Sequence, residues 1–570
     1  MLANLNIKKD INVFKVTLND IKKILLENRS VSDEENFLNP PKPNEVLKSK
    51  NIKKIFGVFY SNLPAIKKLI DESIKRNSPI YIYGDYDVDG VSAACILWDT
   101  IYRYLGYKNC FPFIPDRFCH GYGLSIKGID EIYKLIPAIK DLHPLLLTVD
   151  CGITNVKEID YANKLGFKVV IIDHHTLPKK LPNSDFIFQT TQLCAAGISW
   201  VLSSFIKEKI DFVNLDIVTL ATIADLQKLT GWNRSLVKYG LLSLTESKRA
   251  GIKALKEISG LNDKEITTYD VGWVLGPRLN ASGRMENAMD SLRLLCTNNL
   301  KQARTIAFNL NAINVERQNT TEEIFELASK NLKSVVKEKI IIVSGEDFHE
   351  GVIGIVAQKL TQKFYRPAIV ISRSAKISKA SVRSVSGVDI ISFLRKMEDI
   401  FENVGGHKMA AGFSIQTVFL EDFKKRAGEL SEKYIDKKLL NYSIDIDLEI
   451  PTRLIGDKLL HTIKKFEPFG LGNPQPTFIA KNLSVADFNL FGKEKNHLSI
   501  KLETLGKPKR FIYGKNFKFK EEFYNNLNIG DRVDIVFTLE KNNYRGKNYL
   551  NLIIKYISKT NTDNSLNYQL

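Results

Sequence analysis

Three short apolar runs in the first half of the chain each end in an aspartate, and this pattern constrains the fold more than any other feature. Pro79-Ile80-Tyr81-Ile82-Tyr83 leads into Gly84-Asp85, Leu145-Leu146-Leu147-Thr148-Val149 into Asp150, and Val169-Val170-Ile171-Ile172 into Asp173. The runs are continuously apolar rather than alternating, and helical patterns flank them at Val91 to Tyr104 and Lys157 to Leu165. Such runs fit strands buried on both faces of a parallel sheet with helical crossovers. Ligands of these sheets sit beyond the carboxyl ends of the strands. The polar residues after the three runs are therefore expected to converge on one crevice.

The chain has 570 residues, which at roughly 150 residues per domain predicts three or four domains. From Leu300 to about Leu332, Ile306, Leu310, Ile313, Ile324, Ala328 and Leu332 recur at helical spacing without proline or glycine, as in a long helix joining two lobes. A second α/β segment follows, with strands at Ile340 to Val343, Ala368 to Ile371 and Ala380 to Val385, and helices near Ile353 to Lys363 and Val388 to Lys396. From about Asn441 the pattern alternates, in Leu498, Ile500, Leu502 and in Val533, Ile535, Phe537, Leu539, with Tyr544-Arg545-Gly546-Lys547 as a hairpin turn. The fold class is thus α/β with a C-terminal β-barrel. The division reads as an N-terminal extension (1–46), a first α/β domain (47–299), the connecting helix (300–333), a second α/β domain (334–440), the barrel (441–558) and a polar tail (559–570).

Lysine and arginine number 82 against 64 acidic residues, a net charge of +18 that favours a polyanionic partner such as nucleic acid. No stretch approaches the roughly 20 apolar residues of a membrane span, and the N-terminus lacks a compact apolar segment followed by small residues. The six cysteines are scattered without C-x-x-C spacing, as reduced thiols would be. A cytoplasmic protein without membrane contact is the expectation.

Gly84-Asp85-Tyr86-Asp87-Val88-Asp89-Gly90 sets three carboxylates at alternate positions just past a strand. They repel one another unless cations bind. A calcium loop or a solvated acidic turn is the plainer reading of this segment alone, although an EF-hand needs further ligands and a glutamate that are missing here. Asp173-His174-His175 and Asp150 at neighbouring strand ends favour a metal, since a capping role explains one histidine better than two. Mixed imidazole and carboxylate ligation suits manganese, and also zinc or iron, better than an all-oxygen magnesium or calcium site. Asp225 ends the apolar helical run that begins at Asp216, and taken alone it reads as a surface residue or a cap.

With these residues the chain resembles the DHH phosphoesterase superfamily and, within it, the RecJ family of single-strand-specific 5′ exonucleases. The resemblance runs through Asn28-Arg29, Phe37-Leu38-Asn39-Pro40, the Asp-rich turn, Pro115-Asp116-Arg117 with Gly121-Tyr122-Gly123, Val149-Asp150-Cys151-Gly152 and Asp173-His174-His175. It continues through Gly276-Pro277-Arg278-Leu279-Asn280 with Gly283-Arg284, His349-Glu350-Gly351-Val352-Ile353-Gly354, Gly405-Gly406-His407, and Glu467-Pro468-Phe469-Gly470 with Gly472-Asn473-Pro474. It implies a DHH catalytic domain, a DHH-associated domain and an oligonucleotide-binding barrel. It also implies a two-metal phosphodiesterase in which Asp85, Asp87, Asp89, Asp150, His174, His175 and Asp225 match the metal site. Manganese is preferred and magnesium the alternative, with the cations about 3.5–4 Å apart.

The same resemblance implies a pocket for a 5′-phosphate at Arg117, Arg278, Arg284, Ser381 and Arg383, with Asn280 and His349 beside it. Gly405 and Gly406 would offer main-chain amides and His407 would polarise the scissile phosphate. The implied reaction is digestion of single-stranded DNA to mononucleotides in recombination and repair, by a monomer working with a helicase and a single-strand-binding protein. Shorter DHH phosphodiesterases of oligonucleotides or cyclic dinucleotides lack the barrel, and an inert single-strand-binding scaffold would have lost ligands that are all present here. Departures from the family pattern fall at His120, Gln189, Gln227 and Val382, the last expected to crowd the phosphate pocket. In the barrel, Lys507, Lys509, Arg510, Phe511, Tyr513, Lys515, Phe517, Lys518, Phe519 and Lys520 interleave charge with aromatics. They read either as buried rings behind a cationic face or as a groove with stacking platforms for bases.

Overall fold

The computed structural model describes residues 4–9, 12–136, 143–330, 332, 338–492, 494–504, 509–517, 527–544 and 547–560. They form two compact units, residues 41–441 and residues 1–40 with 442–570. None of the described helices is long and apolar enough to cross a membrane.

In the larger unit, β1 (Ile80–Gly84), β2 (Cys110–Phe113), β3 (Leu145–Val149), β4 (Lys168–Asp173) and β5 (Phe186–Gln189) form a parallel sheet in the order β2-β1-β3-β4-β5. The apolar runs are continuous because each strand feeds two cores. Ile80, Ile82, Leu145, Leu147, Val170 and Ile172 face one, and Tyr81, Tyr83, Leu146, Val169 and Ile171 face the other. Burial of each such aliphatic side chain stabilises the sheet by about 1.5–3 kcal/mol. Register then does what the crevice argument requires. Gly84 pairs with Val149 and Val149 with Ile172, so Asp85, Asp150 and Asp173 follow side by side at the carboxyl edge.

Helix α1 (Val88–Trp98) starts inside the Asp-rich turn and α2 (Ala195–Ile206) and α3 (Leu215–Ala224) cover the same core. The pattern expected to run as one helix to Tyr104 instead widens into π-helical turns over Asp99–Tyr104. Asp99 is buried there against Arg249, whose Nη1 donates to Asp99 Oδ2 at 3.0 Å while Nη2 donates to Asn214 Oδ1 at 2.6 Å. Asp216 of α3 lies 3.9 Å from Arg249 Nε and accepts from Ser247 Oγ at 2.6 Å. Arg103 Nη1 also lies 2.7 Å from Asp99 Oδ1, so two guanidinium groups offset the two buried carboxylates behind the site.

Helix α4 (Gly276–Met285) packs against α5 (Leu300–Lys330), the long helix, which ends two residues before Leu332. The second sheet comprises β6 (Ile341–Gly345), β7 (Ala368–Ser372), β8 (Ile377–Arg383), β9 (Phe401–His407) and β10 (Ala410–Gln416) in the order β9-β10-β8-β7-β6. Helix α6 (Ile353–Phe364) packs on β7 and β8. The expected helix at Val388 to Lys396 is shorter, Ile390–Leu394, because the chain turns through a 3₁₀ segment with a non-helical Met397. Gly405-Gly406-His407 lies on a hairpin strand.

In the smaller unit, β11 (Phe478–Phe491), β12 (His497–Glu503), β13 (Phe511–Asn516), β14 (Arg532–Tyr544) and β15 (Lys547–Lys559) run in the order β11-β12-β13-β15-β14, and β14 pairs back with β11 to close a five-stranded barrel. Leu498, Ile500, Leu502, Val533, Ile535, Phe537 and Leu539 fill it, as their alternation predicts. Tyr544 pairs with Lys547; Arg545 and Gly546 of the expected turn, and most of the tail at 559–570, lie outside the described residues. The first 40 residues, read from sequence as an extension, belong to this unit. Asn4–Ile7 pairs in parallel with Ser443–Ile446, and Arg29 donates to Asn473 Oδ1 at 2.9 Å and to the Pro474 carbonyl at 2.6 Å. The Asn28-Arg29 and Asn473-Pro474 motifs are thus structural fasteners.

Arg249→Met leaves Asp216 buried without its cation and Asp99 with Arg103 alone. It should lower the unfolding free energy by about 3–5 kcal/mol, read as a shift of the denaturant midpoint at unchanged slope; a shift under about 1 kcal/mol would show that the pair is not a buried ionic cluster.

Candidate functional site

The Asp-rich turn is shaped by its own carboxylates. Asp87 caps α1, its Oδ1 accepting from the amides of Asp89 at 2.8 Å and Gly90 at 3.1 Å. Asp89 is spent on the next element, its two oxygens accepting from the Ala195 and Ala196 amides at 2.7 and 2.8 Å at the start of α2. Gly90 permits the fold of this turn: a Cβ there would stand 2.5 Å from the backbone nitrogen and oxygen of Asp85. Asp85 and Asp89 are each 1% exposed.

Asp150 follows β3 in the left-handed region, φ 61°, and its Oδ1 lies 3.1 Å from His174 Nε2. The same imidazole nitrogen is 3.7 Å from Asp89 Oδ2 and 3.8 Å from Asp225 Oδ2, so His174 stands at the centre of the acidic group. Asp225 is the C-cap of α3, delivered to the site by a helix whose residues are almost all buried. Three sets bring one ligand atom each within 4.8 Å of the others: Asp85, Asp87 and Asp150; Asp150, His174 and His175; Asp89, His174 and Asp225. All seven residues singled out from sequence are therefore neighbours, with Asp150 and His174 shared between sets.

The electrostatics follow from crowding in a dry site. Burial, then the charge of Asp87, push the Asp85 carboxyl up to about 8. Burial and the neighbouring carboxylates raise Asp89 and Asp150 well above the usual range, and burial also raises Asp225. Burial lowers His174. His175 behaves oppositely. Burial disfavours its cation, but the hydrogen bond and charge of Asp173, 2.7 Å from Nδ1, push it up to about 9.

Asp173 is the residue that sequence reasoning left out of the site. It takes the amides of Ile153 and His175 and the His175 ring nitrogen Nδ1, fixing the imidazole so that Nε2 points away from Asp173. Its signal was present in the Asp-His-His run, where the first residue of a strand end orients the third. Tyr122 Oη lies 3.2 Å from His175 Nε2. The departures from the family pattern prove supportive. Gln189 Nε2 donates to the His175 carbonyl at 2.8 Å, Gln227 Nε2 donates to Asp225 Oδ2 at 2.7 Å, and His120 Nδ1 accepts from the Asp116 amide at 2.9 Å.

A cavity of 180 Å³ opens from this group, lined by Asp87, Val88, Asp89, Ala224, Asp225, Leu226, Asn280 and Arg284. Asn280 Oδ1 accepts from the Val88 amide at 3.0 Å, which pins α4 to the first turn of α1. Beyond Arg284 lie Arg117 and Arg383, close enough that their charges act on it. Arg117 stands over the Tyr86 ring at 5.5 Å, and Arg383 Nη1 donates to Ser381 Oγ at 3.3 Å. The His349 ring meets Phe118 edge-on at 5.7 Å, one residue from Arg117. Arg278 is engaged elsewhere, donating to Asn311 Oδ1 at 3.0 Å and the Val274 carbonyl at 2.7 Å. Val382 does not crowd this group. Side chains alternate along β8, so Ser381 and Arg383 face α6 while Val382 is buried in the core on the opposite face. Gly405, Gly406 and His407 are exposed on β9, and His407 makes no hydrogen bond to the acidic group among the described residues.

Because Asp173 raises His175, that pair contributes stability which is fully present below about pH 6.5 and is lost as pH rises through about 9. In the cation-free protein, Asp173→Asn should lower the His175 midpoint followed by NMR by about one to three pH units and destabilise more at pH 6 than at pH 10. An unmoved midpoint would show that Asp173 does not hold the imidazole.

Family models match in three places: the DHH family N-terminal domain over residues 79–224, the DHHA1 domain over 335–434 and the RecJ OB domain over 446–556. The chain is 30% identical over 498 residues to the single-stranded-DNA-specific exonuclease RecJ of Bacillus subtilis (strain 168), a match covering 85% of this chain and 62% of that protein. It is 30% identical over 525 residues to the RecJ of Haemophilus influenzae, covering 86% of this chain and 89% of the relative. Among solved structures, RecJ in complex with Mn2+ from Thermus thermophilus superposes with a TM-score of 0.80 at 25% identity, covering 98% of this chain and 80% of that one. Three domains in one order, at this identity over nearly the full length of a relative, are the signature of common descent: the chain belongs to the RecJ family.

Proposed function

We propose that the chain is a metal-dependent exonuclease that degrades single-stranded DNA from its 5′ end to mononucleotides, in recombination and repair. The observation that carries this reading is the single cavity whose walls run from Asp87, Asp89 and Asp225 through Asn280 to Arg284. It pairs a cation-seeking wall with a phosphate-seeking one, as cleavage beside a phosphorylated terminus requires. Two divalent cations would be held by Asp85, Asp87, Asp89, Asp150, His174, His175 and Asp225. Asp150 Oδ1, buried and 3.1 Å from His174 Nε2 without forming a hydrogen bond to it, fits such a role. The two imidazoles favour Mn2+ over Mg2+; the similar T. thermophilus protein was crystallised with each of the two. When bound, the cations would supply Lewis acidity at the scissile phosphate.

The chain's own residues do the rest. Asp173 and Gln227 hold His175 and Asp225 in place, while Asn280 fixes the turn that carries Asp87 and Asp89. Arg117, Arg284, Ser381 and Arg383 would grip the terminal phosphate with charge-assisted hydrogen bonds. Arg278 and His349 frame them, and the amides of Gly405 and Gly406 with His407 would meet the nucleotide being released. The barrel would hold the strand farther along, since Phe511 and Tyr513 are 50% and 54% exposed and Lys501 Nζ stands 4.0 Å over the Phe511 ring. Lys507, Lys518, Phe519 and Lys520 lie outside the described residues. The reading includes a catalytic domain at 47–299, a DHH-associated domain at 334–440 and a barrel domain at 441–558, in a cytoplasmic monomer served by a helicase and a single-strand-binding protein.

End-labelled single strands, digested with and without Mn2+, test the reaction. Chelation should abolish turnover. Asp87→Asn or Asp150→Asn should each reduce it by about a thousandfold or more, the equivalent of several kcal/mol of lost charge stabilisation, with strand binding retained. Undiminished turnover in either variant, or release of the 3′ nucleotide first, would sink the assignment.

Cation binding should also release protons, because Asp85 sits near 8 and its neighbours are raised in the ion-free site. Calorimetry in buffers of differing ionisation enthalpy at pH 7 should find at least about one proton released per chain, and none would contradict ligation by these carboxylates.

For the barrel, Phe511→Ala with Tyr513→Ala should weaken binding of long strands by about ten- to hundredfold and leave short ones nearly unaffected. Equal effects on both lengths would remove the stacking role.

A further inference from the structure

The acidic edge is not the only place where reactive side chains meet. Cys95 and Cys296 are 201 residues apart in the chain, yet their sulfurs lie 3.5 Å apart and both are free thiols. Cys95 sits on α1, about two turns beyond Asp87. Cys296 is the last residue of the helix Met289–Cys296, which packs against α1 and passes the chain on to α5 at Leu300. The two thiols therefore join the helix that carries the Asp-rich turn to the segment that feeds the long helix.

Their approach is held by the ion cluster behind the site. Arg249 Nη1 lies 4.0 Å from Cys95 Sγ and donates to the Leu295 carbonyl at 2.9 Å, and Arg103 Nη2 donates to the Cys296 carbonyl. Both arginines also hold Asp99, one turn after Cys95. The spacing of the sulfurs is thus set by buried charges and main-chain carbonyls. The pair is also asymmetric. Cys95 is 0% exposed, and burial with Cys296 beside it pushes its thiol well above the ordinary range, whereas Cys296 is half-buried and is the sulfur that a solute can reach. Cys110 on β2 is buried as well, but among the described residues only Cys95 has a sulfur contact with Cys296.

A disulfide holds its sulfurs about 2.05 Å apart, so closing this pair draws them together by about 1.5 Å. Side-chain rotation takes up part of that movement. The rest falls on the two helices, because a close-packed interior transmits strain. Asp87 caps α1 and Asp89 lies in its first turn, so a shift of α1 moves carboxylates of the acidic edge. A displacement of about 1 Å at such a site can cost about a hundredfold in rate.

We propose that Cys95 and Cys296 form an oxidation site, a dithiol that hydrogen peroxide converts into a reversible disulfide and that slows turnover while it is closed. The Cys296 thiolate attacks one peroxide oxygen, the O–O bond breaks, hydroxide leaves and Cys296 becomes a sulfenic acid. The Cys95 sulfur then attacks the Cys296 sulfur. The S–S bond forms as the S–O bond breaks, and the Cys95 proton leaves with the hydroxide as water. Two thiols lose two electrons and two protons, and one peroxide becomes two waters. A small thiol reopens the bond by exchange. Formation of the disulfide is independent of what the acidic edge acts on; the slowing of turnover rests on the exonuclease reading above.

The test uses the full chain with Cys119→Ser, which removes the exposed cysteine so that its own oxidation does not enter. The protein is treated with hydrogen peroxide, alkylated, digested without reductant and mapped by mass. A peptide pair joined through Cys95 and Cys296 should appear, two hydrogens lighter than the reduced peptides, and vanish with dithiothreitol. With Mn2+ added, the oxidised protein should turn over single strands about tenfold or more slowly than the reduced one, and dithiothreitol should restore the rate. Cys296→Ser in the same background should match the reduced parent, form no pair and lose nothing to peroxide. Cys95→Ala, which removes the other sulfur, should do the same. A link from Cys296 to Cys110, a Cys296 that stops at the sulfinic acid with Cys95 untouched, or a peroxide loss that persists in both variants would overturn the proposal. A closed pair with unchanged turnover would overturn the slowing. A reduced protein inactive on single strands would overturn the exonuclease reading and the slowing with it, while a mapped Cys95–Cys296 link would still uphold the oxidation site.

Discussion

The site depends on keeping mutually repelling carboxylates close together in a place with little water. Asp85, Asp89 and Asp150 are almost wholly buried, with Asp87 and Asp225 beside them, and no local sequence preference would produce that grouping. It is imposed by the parallel register of β1, β3 and β4, which sets successive strand ends side by side. Helix termini then restrain individual carboxylates. The amides that open α1 hold Asp87, and those that open α2 hold Asp89. The acidic edge is thus held by backbone geometry that also belongs to the core, so the charge density cannot relax without disturbing the sheet.

Against that edge stands a second group of like charges. Arg117, Arg284 and Arg383 are drawn from both sheets' neighbourhoods, and the charges of Arg117 and Arg383 act on Arg284. Each group would be stabilised by mixing with the other. The cavity is lined by Asp87, Asp89 and Asp225 together with Asn280 and Arg284, so both signs of charge face one space. Cations and a phosphate are the ligands whose charges would complement these two signs. Preorganised charge of this kind is the usual source of catalytic electrostatics, because nothing has to reorient when the substrate binds.

The barrel follows a different rule. Its strands alternate, so Leu498, Ile500 and Leu502 turn inward while Phe511 and Tyr513 stand in solvent on β13 around a buried Ile512. Exposed rings interleaved with lysines are costly to keep on a surface that contacts nothing. Residues 1–40 complete this unit, with Arg29 gripping Asn473 and the Pro474 carbonyl.

Much of this was legible in the amino-acid order. Continuous apolar runs, the helical spacing from Ile306 to Ala328 and the alternation in the barrel are local periodicities, and a periodicity reports which face is buried wherever the partner lies. The seven metal-site candidates were legible because each follows the end of a recognisable element. Partner identity was not. Asn4–Ile7 pairs with the distant strand Ser443–Ile446, and Arg249 lies far in sequence from Asp99; sequence carries no local trace of such contacts. Val382 shows the same boundary on a smaller scale, since its place beside Ser381 and Arg383 suggested crowding until the pleat of β8 sent it to the other core. Composition and periodicity by themselves determined the elements, their buried faces and the kind of chemistry present. Which side chains meet was decided by tertiary packing alone, because register, helix offset and the closing of one element against another are properties of the whole fold.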